Sequence, residues 1–232
     1  MKRLLLFDID GTLLSTEGAA RRAFERALHD VYGTAGPIDH HPFDGKTDPQ
    51  IARELLAAAG FPDPDIDRGL SALWNAYLTE LAIEMGNAEY QTRVYPGVPE
   101  LLAALAQEPA VVLGLLTGNV ARGADLKLSS VGLREYFSFG AFGSDCEQRN
   151  ELPQVAVARA REVTGRSFAG ADVVIIGDTP ADIRCGEALG VFTVGVTTGR
   201  HQRKELVAEG ADVVFDDFSN TRAVLRALLP LA

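Results

Sequence analysis

The chain has 232 residues, 47% hydrophobic and 23% charged, and its 22 basic and 32 acidic side chains leave a formal net charge of −10. That composition belongs to a globular protein of one large domain, or of a core with a modest insertion. The acidic balance disfavours nucleic acid as the main partner, and no apolar run approaches the roughly 20 residues of a membrane span.

Residues 4–7 form a short apolar run that reads as a buried strand ending at a glycine turn, Asp8-Ile9-Asp10-Gly11-Thr12. The segment from 15 to 91 then breaks any strand pattern. Residues 17–32, 49–59 and 67–84 have helical character, separated by a Gly-, Pro- and His-rich loop at 33–48 and by the helix-stopping Phe61-Pro62-Asp63-Pro64. After it, strand-like runs at 111–116, 173–176, 191–196 and 213–215, with a shorter one at 139–142, alternate with helix-length segments at 98–106, 121–131, 153–163 and 181–189. This alternation predicts an α/β fold with a doubly wound parallel sheet, residues 1–15 and 91–232, and an inserted helical cap at 16–90. In such sheets ligands sit beyond the carboxyl ends of the strands.

Polar residues gather at those ends. Asp8 and Asp10 lie one residue apart, and two such carboxylates need a cation between them or a shared proton. Thr117-Gly118-Asn119 follows the second strand; alone it reads equally as a phosphate loop or a helix cap. Asp178 and Asp182 follow a later strand, and Arg149 stands just before the helix opened by Pro153. In the insertion, Lys46 within Phe43-Asp44-Gly45-Lys46-Thr47-Asp48 reads either as a surface lysine or as a substrate-facing cation. His40-His41 reads as a solvated loop, and Trp74 and Tyr77 as the core of the cap.

Together these motifs resemble the haloacid dehalogenase superfamily of phosphotransferases. Asp8-x-Asp10-Gly11-Thr12 is similar to its first motif, Thr117 to its second and Gly177-Asp178-x-x-x-Asp182 to its fourth, over about residues 2–217. The insertion looks like the cap of its phosphoglycolate-phosphatase-like branch. The resemblance implies a Mg²⁺-dependent phosphatase of small phosphorylated metabolites that works through an aspartyl-phosphate. It makes Asp8 the nucleophile and Asp10 the general acid and base. Asp8, the main-chain carbonyl of Asp10 and Asp178 become metal ligands, and Asp182 orients the metal's waters or Arg149. Thr117, Gly118, Asn119 and Arg149 become phosphoryl-binding groups, and Lys46 a cap residue facing the substrate. The third motif usually carries lysine. Arg149 is the candidate here and Lys127, in mid-helix, the rival; on that assignment replacing Lys127 is nearly silent.

A sugar phosphomutase of the same superfamily is the alternative. A 2-haloacid dehalogenase fits less well because it generally lacks the acid at Asp10. A receiver-like phosphoacceptor carries its aspartate on the third strand. Cys146 and Cys185, distant and without C-x-x-C spacing, fit a reducing cytoplasmic setting, and the apolar run after Met1-Lys2-Arg3 is too short for a secretion signal.

Overall fold

The computed structural model describes residues 2–87 and 91–229. Met1, the last three residues and the expected end of the cap at 88–90 lie outside the described residues.

The chain begins with β1 (Arg3–Phe7), whose side chains from Leu4 to Phe7 are all buried. A two-residue strand β2 (Leu14–Ser15) leads into α1 (Ala19–Tyr32), α2 (Asp48–Ala58) and α3 (Asp63–Met85). The return is through β3 (Arg93–Val94), which pairs antiparallel with β2. From there helices and strands alternate: α4 (Val98–Ala106), β4 (Val111–Thr117), α5 (Ala121–Ser130), β5 (Gly140–Phe142), α6 (Leu152–Thr164), β6 (Val173–Gly177), α7 (Pro180–Cys185), β7 (Phe192–Val196), α8 (Arg203–Ala208), β8 (Val213–Phe215) and α9 (Thr221–Leu228).

The main sheet is parallel throughout, in the order β5-β4-β1-β6-β7-β8. Its faces are covered by two apolar layers. Phe7, Leu101, Leu115, Phe137 and Val194 belong to one, and Leu6, Leu116, Phe139, Leu152 and Ile175 to the other. Burial of both faces explains why the strands read as unbroken apolar runs rather than alternating ones. The switch in winding direction falls at β1, whose neighbours are β4 and β6.

The inserted helices have their own core, built on Phe24, Leu28, Ile51, Leu55, Tyr77 and Leu81. Phe24 meets Tyr77 edge-to-face at a centroid distance of 5.2 Å. The third helix starts at Asp63, four residues before the sequence expectation. Pro64 falls in its first turn, where a missing N–H costs nothing; the proline that reads as a stop for one helix opens the next. The segment at 181–189 divides: α7 ends at Cys185 and a separate turn of 3₁₀ helix spans Glu187–Leu189.

Cap and core touch along α3 and α5, where Val120 packs among the cap's apolar residues. A polar clasp sits beside that seam. The Asp48 amide donates to the Gly118 carbonyl at 2.8 Å, and the Val120 amide donates to Asp48 Oδ2 at 2.8 Å. Thr47 donates its hydroxyl to the Glu147 carbonyl at 2.7 Å.

Candidate active site

Asp8 follows the last residue of β1, and its amide still donates to the Ile176 carbonyl of β6 at 2.9 Å. The chain then folds back tightly, with the Ile9 carbonyl accepting from the amides of Thr12, Leu13 and Leu14. Gly11 makes that turn at φ +86°, where an L side chain is strained. A Cβ there would also stand 2.2 Å from the Asp178 carboxylate, so the glycine is what lets Asp178 come close.

The residues singled out in the sequence converge on one cavity of about 280 Å³ between core and cap. Asp8, Asp10, Thr117, Gly118, Asn119, Arg149 and Asp178 line its core side, and Lys46 lines its cap side. Carboxylate oxygens of Asp8, Asp178 and Asp182 lie within 4.8 Å of one another, all three residues buried. Against them stands one guanidinium, Arg149, which pairs with Asp182 and lies 3.2 Å from Asp8 Oδ1. Three carboxylates facing one cation are under-neutralised. Burial, and next the Asp182 carboxylate, push Asp178 well above its ordinary range. Burial likewise pushes Asp8 up to about 7, with Arg149 pulling the other way. Buried, hard oxygen donors with excess negative charge fit a divalent metal ion.

Asp182 is spoken for. Its Oδ1 holds Arg149, and its Oδ2 accepts from the Thr179 amide at 3.0 Å and hydroxyl at 2.7 Å, closing a capping box on α7. Its contact is thus with Arg149, which stands between it and Asp8. Asp178 is steadied instead by the Thr12 hydroxyl, 3.0 Å from its Oδ1.

Lys127 departs from its expected place outside the site. It does lie in α5, yet its ammonium donates to both oxygens of Asp10, at 2.9 and 2.7 Å, and to Asn119 Oδ1 at 2.5 Å. Helical side chains lean toward the helix N-terminus, and the N-terminus of α5 follows the Thr117–Asn119 loop directly. A lysine two turns along therefore reaches back to the strand ends. The fold thus brings both Arg149 and Lys127 to the site, one beside Asp8 and the other on Asp10. The environments of the two carboxylates differ too, since the Asp8 side chain is 9% exposed and that of Asp10 40%.

The cap supplies lining residues that the sequence did not mark as part of the site. Arg21, Phe24, Phe43, Asp48 and Tyr77 all line the cavity. Arg21 lies in a segment that reads in sequence only as helical, 17–32, and the fold sets it at the start of α1 beside the cavity. Tyr77 is part of the cap core, as expected, and a wall of the cavity as well. Desolvation pushes the half-buried Asp48 up to about 6, an effect the nearby Lys127 partly offsets. The Lys46 ammonium is held by Glu54, with His41 Nε2 3.4 Å away, while its main-chain oxygen sits over Gly118, where a Cβ would meet it at 2.0 Å.

The family model for haloacid dehalogenase-like hydrolases matches residues 5–196. IndB of Dickeya dadantii, a probable phosphatase, is 27% identical over 248 aligned positions that cover 100% of this chain and 97% of that protein. The phosphoglycolate phosphatase of Pseudomonas putida is 26% identical over 233 positions, covering 99% of this chain and 79% of its own. A crystal structure of a predicted phosphoglycolate phosphatase from Haemophilus somnus shares the fold, with a TM-score of 0.70 at 20% identity over 96% of this chain and 97% of that one.

Proposed function

Because the chain belongs to the haloacid dehalogenase-like hydrolase family, we propose that it hydrolyses phosphate monoesters of small metabolites through a covalent intermediate on Asp8, with Mg²⁺ as its metal. The supporting observation is the separate pairing of two acids with two cations, Asp8 with Arg149 and Asp10 with Lys127. Two carboxylates kept in different environments can carry different roles.

Ionised Asp8 attacks phosphorus, and the bond from phosphorus to the ester oxygen breaks as an acyl phosphate forms. Asp10 gives its proton to the departing oxygen. Its greater exposure suits a group that must next exchange protons with water. In the second half-reaction Asp10 takes a proton from a water that attacks phosphorus, the bond to Asp8 breaks, and phosphate and free Asp8 result. Arg149, the Thr117 hydroxyl and the amides of Gly118 and Asn119 face the phosphoryl oxygens as charge moves onto them. Lys127 holds Asp10 in register with the leaving oxygen. Lys46 belongs to the cap loop that covers the phosphoryl loop, and its side chain faces the substrate. Mg²⁺, held by Asp8, Asp178 and the main-chain carbonyl of Asp10, would neutralise the buried carboxylates and withdraw charge from the phosphoryl group.

A cap over this cavity excludes bulky phosphoproteins and shields the intermediate from bulk water. No helix among the described residues is long and apolar enough to cross a membrane, and two free cysteines agree with work in the cytoplasm.

The test is phosphate release from a panel of phosphorylated metabolites with Mg²⁺, together with acid quenching during turnover of a ³²P-labelled ester. An acid-stable, hydroxylamine-labile label on Asp8, absent in Asp8→Asn, is expected. Turnover by a folded Asp8→Asn protein, or full turnover in excess chelator, would overturn the reading.

A further inference from the structure

Beyond the phosphoryl end, three cations line the cavity: Arg21, Lys46 and Arg200. Two of them face carboxylates. Lys46 is paired with Glu54, and Arg200 Nη1 stands 3.7 Å from Asp44 Oδ2. Arg21 is different. Its Nη2 donates to the Ile38 carbonyl, both terminal nitrogens lie 3.4 Å from the His41 carbonyl, and its guanidinium carbon sits 4.5 Å from the centroid of the Phe43 ring. All these partners are neutral, and no carboxylate among the described residues pairs with it. The first turn of α1, which carries Arg21, also holds no acid.

A guanidinium braced by carbonyl dipoles and an aromatic face is fixed in place with its charge intact. Phe43 itself packs edge-to-face on buried Phe24 at 5.8 Å, so the brace is rigid. Such a group, beside apolar walls that keep water away, is a receptor for an anion, and its planar fork suits two oxygens of a carboxylate or phosphate. We infer that Arg21 binds the leaving group, and that the substrates are short phosphomonoesters carrying a second anionic group, a carboxylate or a further phosphate. The inference rests on the phosphatase reading and specifies it. The cavity is at the small end of ligand sites, so with a phosphoryl group against Asp8 only a short chain fits between the two anions. It also moves the deciding charge from Lys46 in the cap loop, which Glu54 neutralises, to a residue of α1.

The experiment compares kcat/KM for three short esters with Mg²⁺: 2-phosphoglycolate, whose second anion is a carboxylate, glycerol 2-phosphate, which has a neutral leaving group, and ethylene glycol bisphosphate, whose second anion is a phosphate. The wild-type protein should prefer at least one anionic ester over glycerol 2-phosphate, and which one identifies the second anion. Arg21→Gln should cut that preference ratio by about 10- to 100-fold, mainly through KM, the range expected for a charged hydrogen bond. Arg21→Lys, which keeps the charge, should retain most of the ratio. A purely structural role would slow all esters alike and leave the ratio standing. Where Arg21→Gln does not fold, competitive inhibition of the unaltered protein by phosphonoacetate and by methylenebisphosphonate, each against ethylphosphonate, supplies the second measurement; equal inhibition by all three overturns the inference. Hydrolysis with a ratio indifferent to Arg21 overturns it while leaving the phosphatase reading intact, whereas no hydrolysis of any ester overturns both.

Discussion

Replacing Lys127 by methionine separates the two cations of the site. Methionine keeps the length of the stem and removes three hydrogen bonds, two to Asp10 and one to Asn119 Oδ1. Asn119 is buried, so its orphaned carbonyl costs about 1–3 kcal/mol. Asp10 is 40% exposed and can be hydrated, which discounts its share. The total should therefore stay near 1–3 kcal/mol, below the 3–5 kcal/mol typical of breaking a fully buried pair. Chemistry should suffer more. Asn119 Nδ2 still donates to Asp10 at 2.7 Å, so the acid is loosened rather than lost, and turnover should fall by about 10- to 100-fold, less than the 10²- to 10⁴-fold of deleting a general acid. The assay is kcat on an alkyl phosphate and on p-nitrophenyl phosphate, whose leaving group needs little protonation. If Lys127 acts through Asp10, the alkyl ester is hit harder. Equal losses on both esters, or alkyl turnover within about twofold of wild type, would refute the assignment.

Arg149→Ala should slow alkyl and aryl esters alike, by about 10²- to 10³-fold, because it removes charge from the phosphoryl group itself; a selective effect on alkyl esters would contradict this in the same assay. Mg²⁺ should raise the melting temperature by binding the folded state. Asp178→Asn should abolish that rise and, by removing one under-neutralised carboxylate, melt no lower than wild type in chelator; calorimetry with and without metal decides. Asp8 and Asp48 have pKa values raised to about 7 and about 6. A raised carboxyl binds more protons folded than unfolded, so metal-free stability should fall as pH rises from about 4 to about 7. The Tm advantage of Asp48→Asn over wild type should grow across pH 4 to 6, and a flat difference would show that Asp48 does not titrate there. Gly118→Ala would place a Cβ 2.0 Å from the Lys46 carbonyl, so it should fold yet lose turnover, with proteolysis of the cap loop accelerated; unchanged protection of residues 43–48 would argue against a docked loop.

The strands were legible because a sheet buried on both faces leaves apolar runs that need no decoding. β4 and β6 each extend one residue beyond the run, taking in Thr117 and Gly177. Polar groups at several strand ends in the order of a known motif set made most of the site legible too. Short α8 and α9, of 6 and 8 residues, carry too few turns for periodicity to stand out. Lys127 was misplaced for a different reason. Its role depends on how far a lysine leans back along α5 and where that helix points, and neither is written in local spacing. Arg21 is hidden more deeply, since which of the cavity's outer cations lacks an acidic partner is decided only when Glu54 folds against Lys46 and Asp44 against Arg200 of the core. Sequence order assigns chemistry to the rigid core, whereas charge compensation across the cap emerges only in three dimensions.

The ribbon of β2 and β3 bears on how such a protein can be remade. Leu14 lies opposite Val94 and Ser15 opposite Arg93, so the chain leaves for the insertion and comes back at adjacent points on a paired hairpin stem. A stem of that kind is a natural splice junction. Everything beyond it can be removed and replaced by a tight turn, or exchanged for another helical lobe, without cutting a strand of the six-stranded sheet. Asp8 and its turn lie on the retained side, and Arg21, Phe43 and Asp48 on the exchangeable side. On the roles proposed above, reaction and selectivity are then separable parts, and a lobe grafted onto this stem would bring its own leaving-group preference to an unchanged core.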